Sequence, residues 1–169
     1  RPDGQEVLFA QGLDAPQGLA RDPQGHLYAA EAGKRRILKF LAPTTPQLDP
    51  TPPAFTNQAT LTLQGTAAPG ALLTIQGGSA DVTGVVDAAG HFSLTVPLAR
   101  NASNPLELYA TAAGGDGLTS APTPITVVHD DMLPIMALTN PTSGALVRGT
   151  VPVTASATDG SGIALVTFK

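Results

Sequence analysis

The chain has 169 residues, no cysteine, no tryptophan, few charges (13% Asp, Glu, Lys and Arg) and a net charge of −4. Without cysteine there is no disulfide framework, no thiolate metal site and no cysteine nucleophile. The charge is uneven: residues 1–42 carry six Lys/Arg against five Asp/Glu, and residues 43–169 carry three against eight. That sign opposes the basic footprint that nucleic-acid binding requires.

In chain order, the first unit is residues 1–42. Val7–Ala10 reads as a short strand, Gln17–Ala20 as a second, His26–Ala30 as its hairpin partner and Arg36–Phe40 as the next. Asp22-Pro-Gln-Gly25 between them suits a type I turn, with Pro at the second position and Gly at the fourth. Lys34-Arg35-Arg36 is the one basic run and reads as a solvated strand edge. Residues 43–53 contain five prolines. Fixed φ and missing donors make this an extended, semi-rigid linker.

Residues 54–130 alternate short β-type runs with Gly, Pro, Asp and Asn turns. Strands are expected at Thr60–Gln64, Ala71–Ile75, His91–Val96, Leu106–Ala110 and Ile125–Val128. Spacing of about 8–12 residues between such runs points to an all-β sandwich or propeller. The expected core is Leu61, Leu63, Leu72, Ile75, Phe92, Leu94, Val96, Leu108, Tyr109 and Val127. Residues 131–169 begin another unit, with strands expected at Val151–Ala157 and Ile163–Phe168. Gly149-Thr150 follows Gly65-Thr66 by 84 residues, close to one sandwich domain. Three strands leave an open core and bare edges. The third unit is therefore expected to be incomplete and unstable by itself, its edge covered by further chain or by a neighbouring molecule. Because the chain opens on Arg1, it reads as a processed or excised piece.

Two resemblances organise these runs. Pro16, Gly18, Leu19, Ala20, Asp22, Gly25, Leu27, Tyr28, Ala30, Arg36, Ile37 and Phe40 resemble one blade of an NHL or gluconolactonase-like β-propeller, with Glu31 where that family usually has Asp. Thr56-Asn57, Gly65–Gly70, Asp87–Ser93, Val96–Leu98, Asn104–Leu106 and Ile125–Asp130 resemble bacterial immunoglobulin-like domains found in tandem on surface proteins. Asn140–Gly144, Ala157–Asp159 and Gly162–Val166 resemble the start of a second such domain. The resemblances imply an all-β chain: blade (1–42), linker (43–53), immunoglobulin-like sandwich (54–130) and an incomplete second sandwich (131–169).

No catalytic constellation is expected. His26, His91 and His129 stand in different units without metal-ligand spacing. Gly114-Gly-Asp-Gly117 lacks the Lys-Ser/Thr of a phosphate loop and reads as a turn. Asn101-Ala-Ser103 fits a glycosylation acceptor pattern but reads as chance. The best ionic candidate is the junction Asp130-Asp131, toward which Asp159 could fold, with Asp49 at the equivalent place before the sandwich. Carboxylates are what calcium seeks, and related tandem domains are stiffened this way. No other cofactor is expected, and no apolar run reaches the ~18 residues of a membrane span.

The function expected from the resemblance is a non-enzymatic structural or adhesive stalk of a large bacterial extracellular or surface protein. Its partners would be other protein chains, copies of itself or glycans, and not nucleic acid. The alternative is an accessory region of a large secreted enzyme or toxin whose active domain lies elsewhere. A third reading makes the blade part of a gluconolactonase-like metal hydrolase.

Overall fold

Alternating apolar and polar residues, broken by glycine and proline, give strands and no helix among the described residues of the computed structural model, which are 10–112 and 117–168. The Val7–Phe9 part of the expected strand Val7–Ala10 and the Gly114–Asp116 part of the expected turn lie outside them.

Strands β1 (Pro16–Arg21), β2 (Leu27–Glu31) and β3 (Arg36–Phe40) form an antiparallel sheet in that order. The β1–β2 turn closes as expected, the Gly25 amide donating to the Asp22 carbonyl at 3.0 Å. Gly25 holds φ +91°, a left-handed conformation that only glycine adopts without strain. The Asp22 carboxylate caps the turn, accepting from the His26 amide at 2.9 Å and the Tyr28 hydroxyl at 3.0 Å. Lys34 and Arg36 do not simply face solvent: both pair with Glu31, which is buried.

The second unit is a two-layer sandwich. One sheet orders β4 (Gln47–Leu48), β6 (Thr60–Thr66) and β9 (His91–Pro97). The other orders β5 (Phe55–Thr56), β11 (Thr123–His129), β10 (Ala102–Thr111), β7 (Leu72–Gln76) and β8 (Val82–Val85). All pairs are antiparallel except β5 with β11. Residues 47–48 lie in the segment expected to be a linker, yet they pair with β6. Pro46 beside them is fully buried, and its carbonyl accepts from the Thr123 hydroxyl at 2.6 Å. Proline here supplies a buried apolar ring instead of a spacer.

Between the layers lie Leu61, Leu63, Leu73, Ile75, Val86, Phe92, Val96, Leu106, Leu108, Ile125 and Val127. Three expected core residues need correction. Leu72 is 43% exposed, because on β7 the inward positions are Leu73 and Ile75. A strand sends successive side chains to opposite faces, so Leu72 and Ile75 could not both point inward. Tyr109 is on the outer face of β10, its hydroxyl bonded to Glu107, while Leu106, Leu108 and Ala110 face in. Leu94 is only partly buried and packs against the core rim.

The third unit is a hairpin of β12 (Ile135–Asn140) and β13 (Thr154–Thr158). The expected strand at Val151–Ala157 is shifted to Thr154–Thr158, and Ile163–Phe168 is in no strand. Met136, Leu138, Leu146, Leu165 and Phe168 are exposed.

Candidate functional site

The third unit leaves the sandwich at the end of β11, and polar side chains meet there. His129 is fully buried, and its Nδ1 accepts from the Asn101 amide at 3.0 Å. Nδ1 is thus the unprotonated nitrogen of a neutral ring and Nε2 carries the proton. Nε2 is buried and makes no hydrogen bond. Asn101 sits at φ +50°, the last step of a tight loop. That loop is tied down by Asn104, fully buried, which accepts from the Ala99 amide at 2.7 Å and donates to the carbonyls of Ala99 and Ala102, each at 3.1 Å.

The loop then holds Asp131. The Asp131 amide donates to the Asn101 side-chain oxygen at 2.9 Å, and its carboxylate pairs with Arg100 at 3.1 Å. Arg100 is largely exposed, so the pair fixes orientation more than stability. Asp130 points the other way. Its amide donates to the Thr56 carbonyl at 2.9 Å, and its carboxylate accepts from the Met132 amide at 3.1 Å. A Cβ built on Gly160 would lie 3.0 Å from the Asp130 carboxylate, so the third unit reaches back to the junction.

Asp159 comes with it. Its carboxylate accepts from the Ser161 hydroxyl at 2.6 Å and the Ser161 amide at 2.9 Å. These bonds, the hydroxyl first, hold its pKa below the usual carboxylate range. Of the three aspartates expected at one site, the structure gives Asp131 to Arg100, while Asp130 lies beside Gly160, the neighbour of Asp159. Among the described residues, no group of three or more His, Cys, Asp or Glu is placed to hold a metal ion. Asp49 is exposed and its amide is bonded to Gln64 in the sandwich, far along the chain from this junction.

A groove of about 470 Å³ runs along the junction, with His129, Asp130 and Asp159 among its polar walls and Met132, Leu133 and Ile135 among its apolar ones. Sequence reasoning found the aspartates, missed Arg100, and named His129, Asn101 and Asn104 without placing them at the junction. The signal was Asn101 at the end of the turn and Asn104 at the start of β10, since amide side chains near turns commonly bind backbone.

The other histidines have local partners. His26 Nδ1 accepts from the Ala42 amide at 2.9 Å, and the exposed His91 opens β9 with its amide bonded to Asp87 at 2.8 Å. The side-chain oxygen of Asn101 in the acceptor-like Asn101-Ala-Ser103 is already engaged with Asp131. Among the described residues no helix is long and apolar enough to cross a membrane.

The two-layer antiparallel sandwich is an immunoglobulin-like architecture, and the comparisons agree. The family described as bacterial Ig domain matches residues 42–129, more than half of the chain, and a second family of the same description matches residues 134–169. The chain belongs to the bacterial Ig domain family. It is also similar to bacillopeptidase F of Bacillus subtilis (strain 168), 31% identical over 113 residues. The match takes in 65% of this chain but only 8% of that protein.

Proposed function

We propose that this chain is a non-catalytic structural segment of a larger bacterial extracellular or surface protein, spacing other parts and offering contact surfaces. The observation that carries the reading is the family membership over residues 42–129, followed directly by a second match of the same kind. Bacterial Ig domains are generally non-catalytic and typical of extracellular or surface proteins. The site geometry is consistent with this role: the junction side chains are engaged in holding one unit to the next, not in aligning a nucleophile with a base. In this reading β1–β2–β3 is one blade of an NHL-like propeller lying ahead of the sandwich. A junction calcium on Asp130, Asp131 and Asp159 belongs to the reading only if Asp131 leaves Arg100, which calcium titration followed at the Asp131 amide tests.

A second reading, supported by the similarity to a protein named as a peptidase, makes the chain an accessory region of a larger enzyme. The chain covers so little of that protein that the peptidase activity does not transfer with the likeness. The test is direct. The 169-residue chain should show a cooperative unfolding transition and no turnover of casein or of p-nitrophenyl esters. Turnover that survives repurification would overturn the structural reading.

A further inference from the structure

We propose that β13 is a self-pairing edge, through which two copies of this chain join antiparallel about a two-fold axis at Ser156. The inference deepens the contact-making role above, rests on it for its biological sense, and names a second copy as the partner.

The first observation is that this edge is bare. An unpaired strand edge presents backbone donors and acceptors to any other strand, and folded proteins blunt it by shortness, charge, proline or a bulge. Among the described residues every other outer strand has such a guard. Strands β4 and β5 have two residues each and β8 has four. β1 holds Pro16, Arg21 and a bulge between Pro16 and Gly18, and β3 holds Arg36 and Lys39. β9 ends at Pro97, whose carbonyl accepts from the Ser79 amide at 3.0 Å. β12 lies between Pro134 and Pro141 and is bulged between Leu138 and Asn140. β13 pairs with β12 on one side alone, and its five residues hold no charge and no proline.

The second is the order of those residues. Thr154-Ala-Ser-Ala-Thr158 reads the same in both directions. Antiparallel pairing about Ser156 therefore sets Thr154 against Thr158 of the second copy, Ala155 against Ala157, and Ser156 against its own counterpart. Every position meets a residue of its own kind. A one-residue slip sets alanine against serine or threonine and mixes the two faces. A parallel alignment brings the Asp159 carboxylates of the two copies side by side. The antiparallel one sends them to opposite ends, roughly 20 Å apart at ~3.4 Å per residue.

The third is what the pairing builds. Met136 stands opposite Ala157 and Leu138 opposite Ala155, so these four share one face of the hairpin. Across the new seam a row runs from Met136 and Ala157 to Ala155 and Leu138 of the second copy, and the two-fold axis repeats it in reverse. The hairpin becomes half of a four-stranded sheet with one continuous apolar face, above the roughly three strands such a sheet needs to stand alone. The guarded β12 edges then lie outermost, so the assembly closes at two copies instead of growing into a fibre. A strand of unrelated sequence meets the same backbone groups but not this match of faces and ends.

The chain has no cysteine, so a single introduced thiol reports the register. Directly opposed residues of an antiparallel pair lie about 4.5–5.5 Å apart at Cα, within disulfide reach. Under mild oxidation Ser156→Cys should therefore cross-link to a dimer. Thr158→Cys should not, because its two thiols lie about 14 Å apart along the strands at ~3.4 Å per residue. Sedimentation of the parent chain from about 10 µM to about 1 mM, the range of a small interface, should show monomer passing to dimer. Over the same range β13 amide exchange should slow and β10 exchange should not change. Ser156→Lys puts two ammonium groups face to face and should raise the dissociation constant about fivefold or more. Mixing it with Ser156→Glu should restore the dimer. Ser156 is exposed, and unchanged sandwich amides in each variant confirm folding. The proposal is overturned if the chain stays monomeric throughout, which leaves the edge to another strand or partner. It is equally overturned if Thr158→Cys cross-links as fast as Ser156→Cys, or if Ser156→Lys dimerises as well as the parent. None of these results touches the non-catalytic reading, which turnover alone decides.

Discussion

Arg21 and Thr119, 98 residues apart in sequence, are joined by a fork: Arg21 Nη2 donates to the Thr119 carbonyl at 2.9 Å and to its hydroxyl at 2.7 Å. The Arg21 Nε donates to the Gly25 carbonyl at 3.1 Å, so the same guanidinium braces the hairpin turn and the sandwich. Gly25 packs so closely that a Cβ there would overlap the Thr119 carbonyl oxygen. The three-stranded sheet is thereby docked on the sandwich and does not swing on a free linker.

Gly25→Ala should break this docking. The left-handed backbone alone costs roughly 1–2 kcal/mol with a Cβ present, and the overlap is with backbone, which cannot rotate away. Calorimetry should resolve an earlier transition for the sheet, and the Thr119 amide resonance should move. Arg21→Ala, which removes the bonds to Thr119 and Gly25 but keeps the Gly25 backbone and its own turn bond to Asp22, should cost about 1 kcal/mol. An unchanged Thr119 resonance in Gly25→Ala would refute the docking.

Leu72 and Leu73 are neighbours with opposite fates, and mutation should separate them. Leu73→Ala, at a fully buried position, should cost about 2–5 kcal/mol in urea unfolding, and Phe92→Ala about 3–5 kcal/mol. Leu72→Ala, at a 43% exposed position, should cost about 1 kcal/mol or less. Equal losses for the two leucines would mean the β7 register is wrong.

The same pair shows how far the sequence could be read. Most sandwich strands stood out because apolar residues alternate between clear turns, but the phase on β7 was ambiguous where Leu72 and Leu73 adjoin. Strand β8, Val82-Thr-Gly-Val85, was missed because glycine weakens a strand pattern. Gly84 is there for packing: a Cβ would run into the Leu94 side chain. Strand β4 was hidden among prolines, whose edge position in the sheet satisfies the rule that proline stays out of central strands. At the junction the aspartates were visible as residues, but not their division, because that depends on Arg100 and Asn101 arriving from 30 residues earlier. Nothing in the sequence alone marked His129 as a buried ring with a spare donor.

Glu31 predicts an acid-sensitive clamp. Its hydrogen bond from Arg36, then the Asp14 amide at 2.8 Å, and Lys34 lower its pKa from 4.5 to about 2. A depressed carboxylate pKa stabilises the fold above the unfolded value and loses that contribution as pH falls through the folded one. The β2–β3 clamp should therefore be at full strength above pH 4.5 and weaken progressively toward pH 2. Exchange of the Asp14 amide, followed across that range, should accelerate. Glu31→Gln should flatten the dependence. Lys34 and Arg36 are about half exposed, so added salt should reduce the effect. A pH-independent Asp14 amide in the parent chain would rule the clamp out.

The β12–β13 hairpin should be the least protected part of the molecule. Its strands pair only with each other among the described residues, and Ile135, Met136 and Leu138 are 73%, 67% and 56% exposed. An isolated two-stranded hairpin is marginal in water, because it buries too little apolar surface to offset the ordering of its backbone. By contrast, β10 and β11 pair over seven residues above a core in which Leu108 and Val127 are fully buried. Native-state hydrogen exchange should therefore open β12 and β13 locally, at free energies well below that of the sandwich. Urea should leave the β13 rates nearly unchanged, because local opening exposes little new surface, whereas exchange in β10 should accelerate with the slope of global unfolding. Any surface that packs on Met136 and Leu138 should slow exchange in this hairpin first and leave β10 and β11 unaffected. Protection in β12 and β13 equal to that of β10 in the isolated chain would mean that the apolar face is already covered, and the account of this unit as an open hairpin would fall.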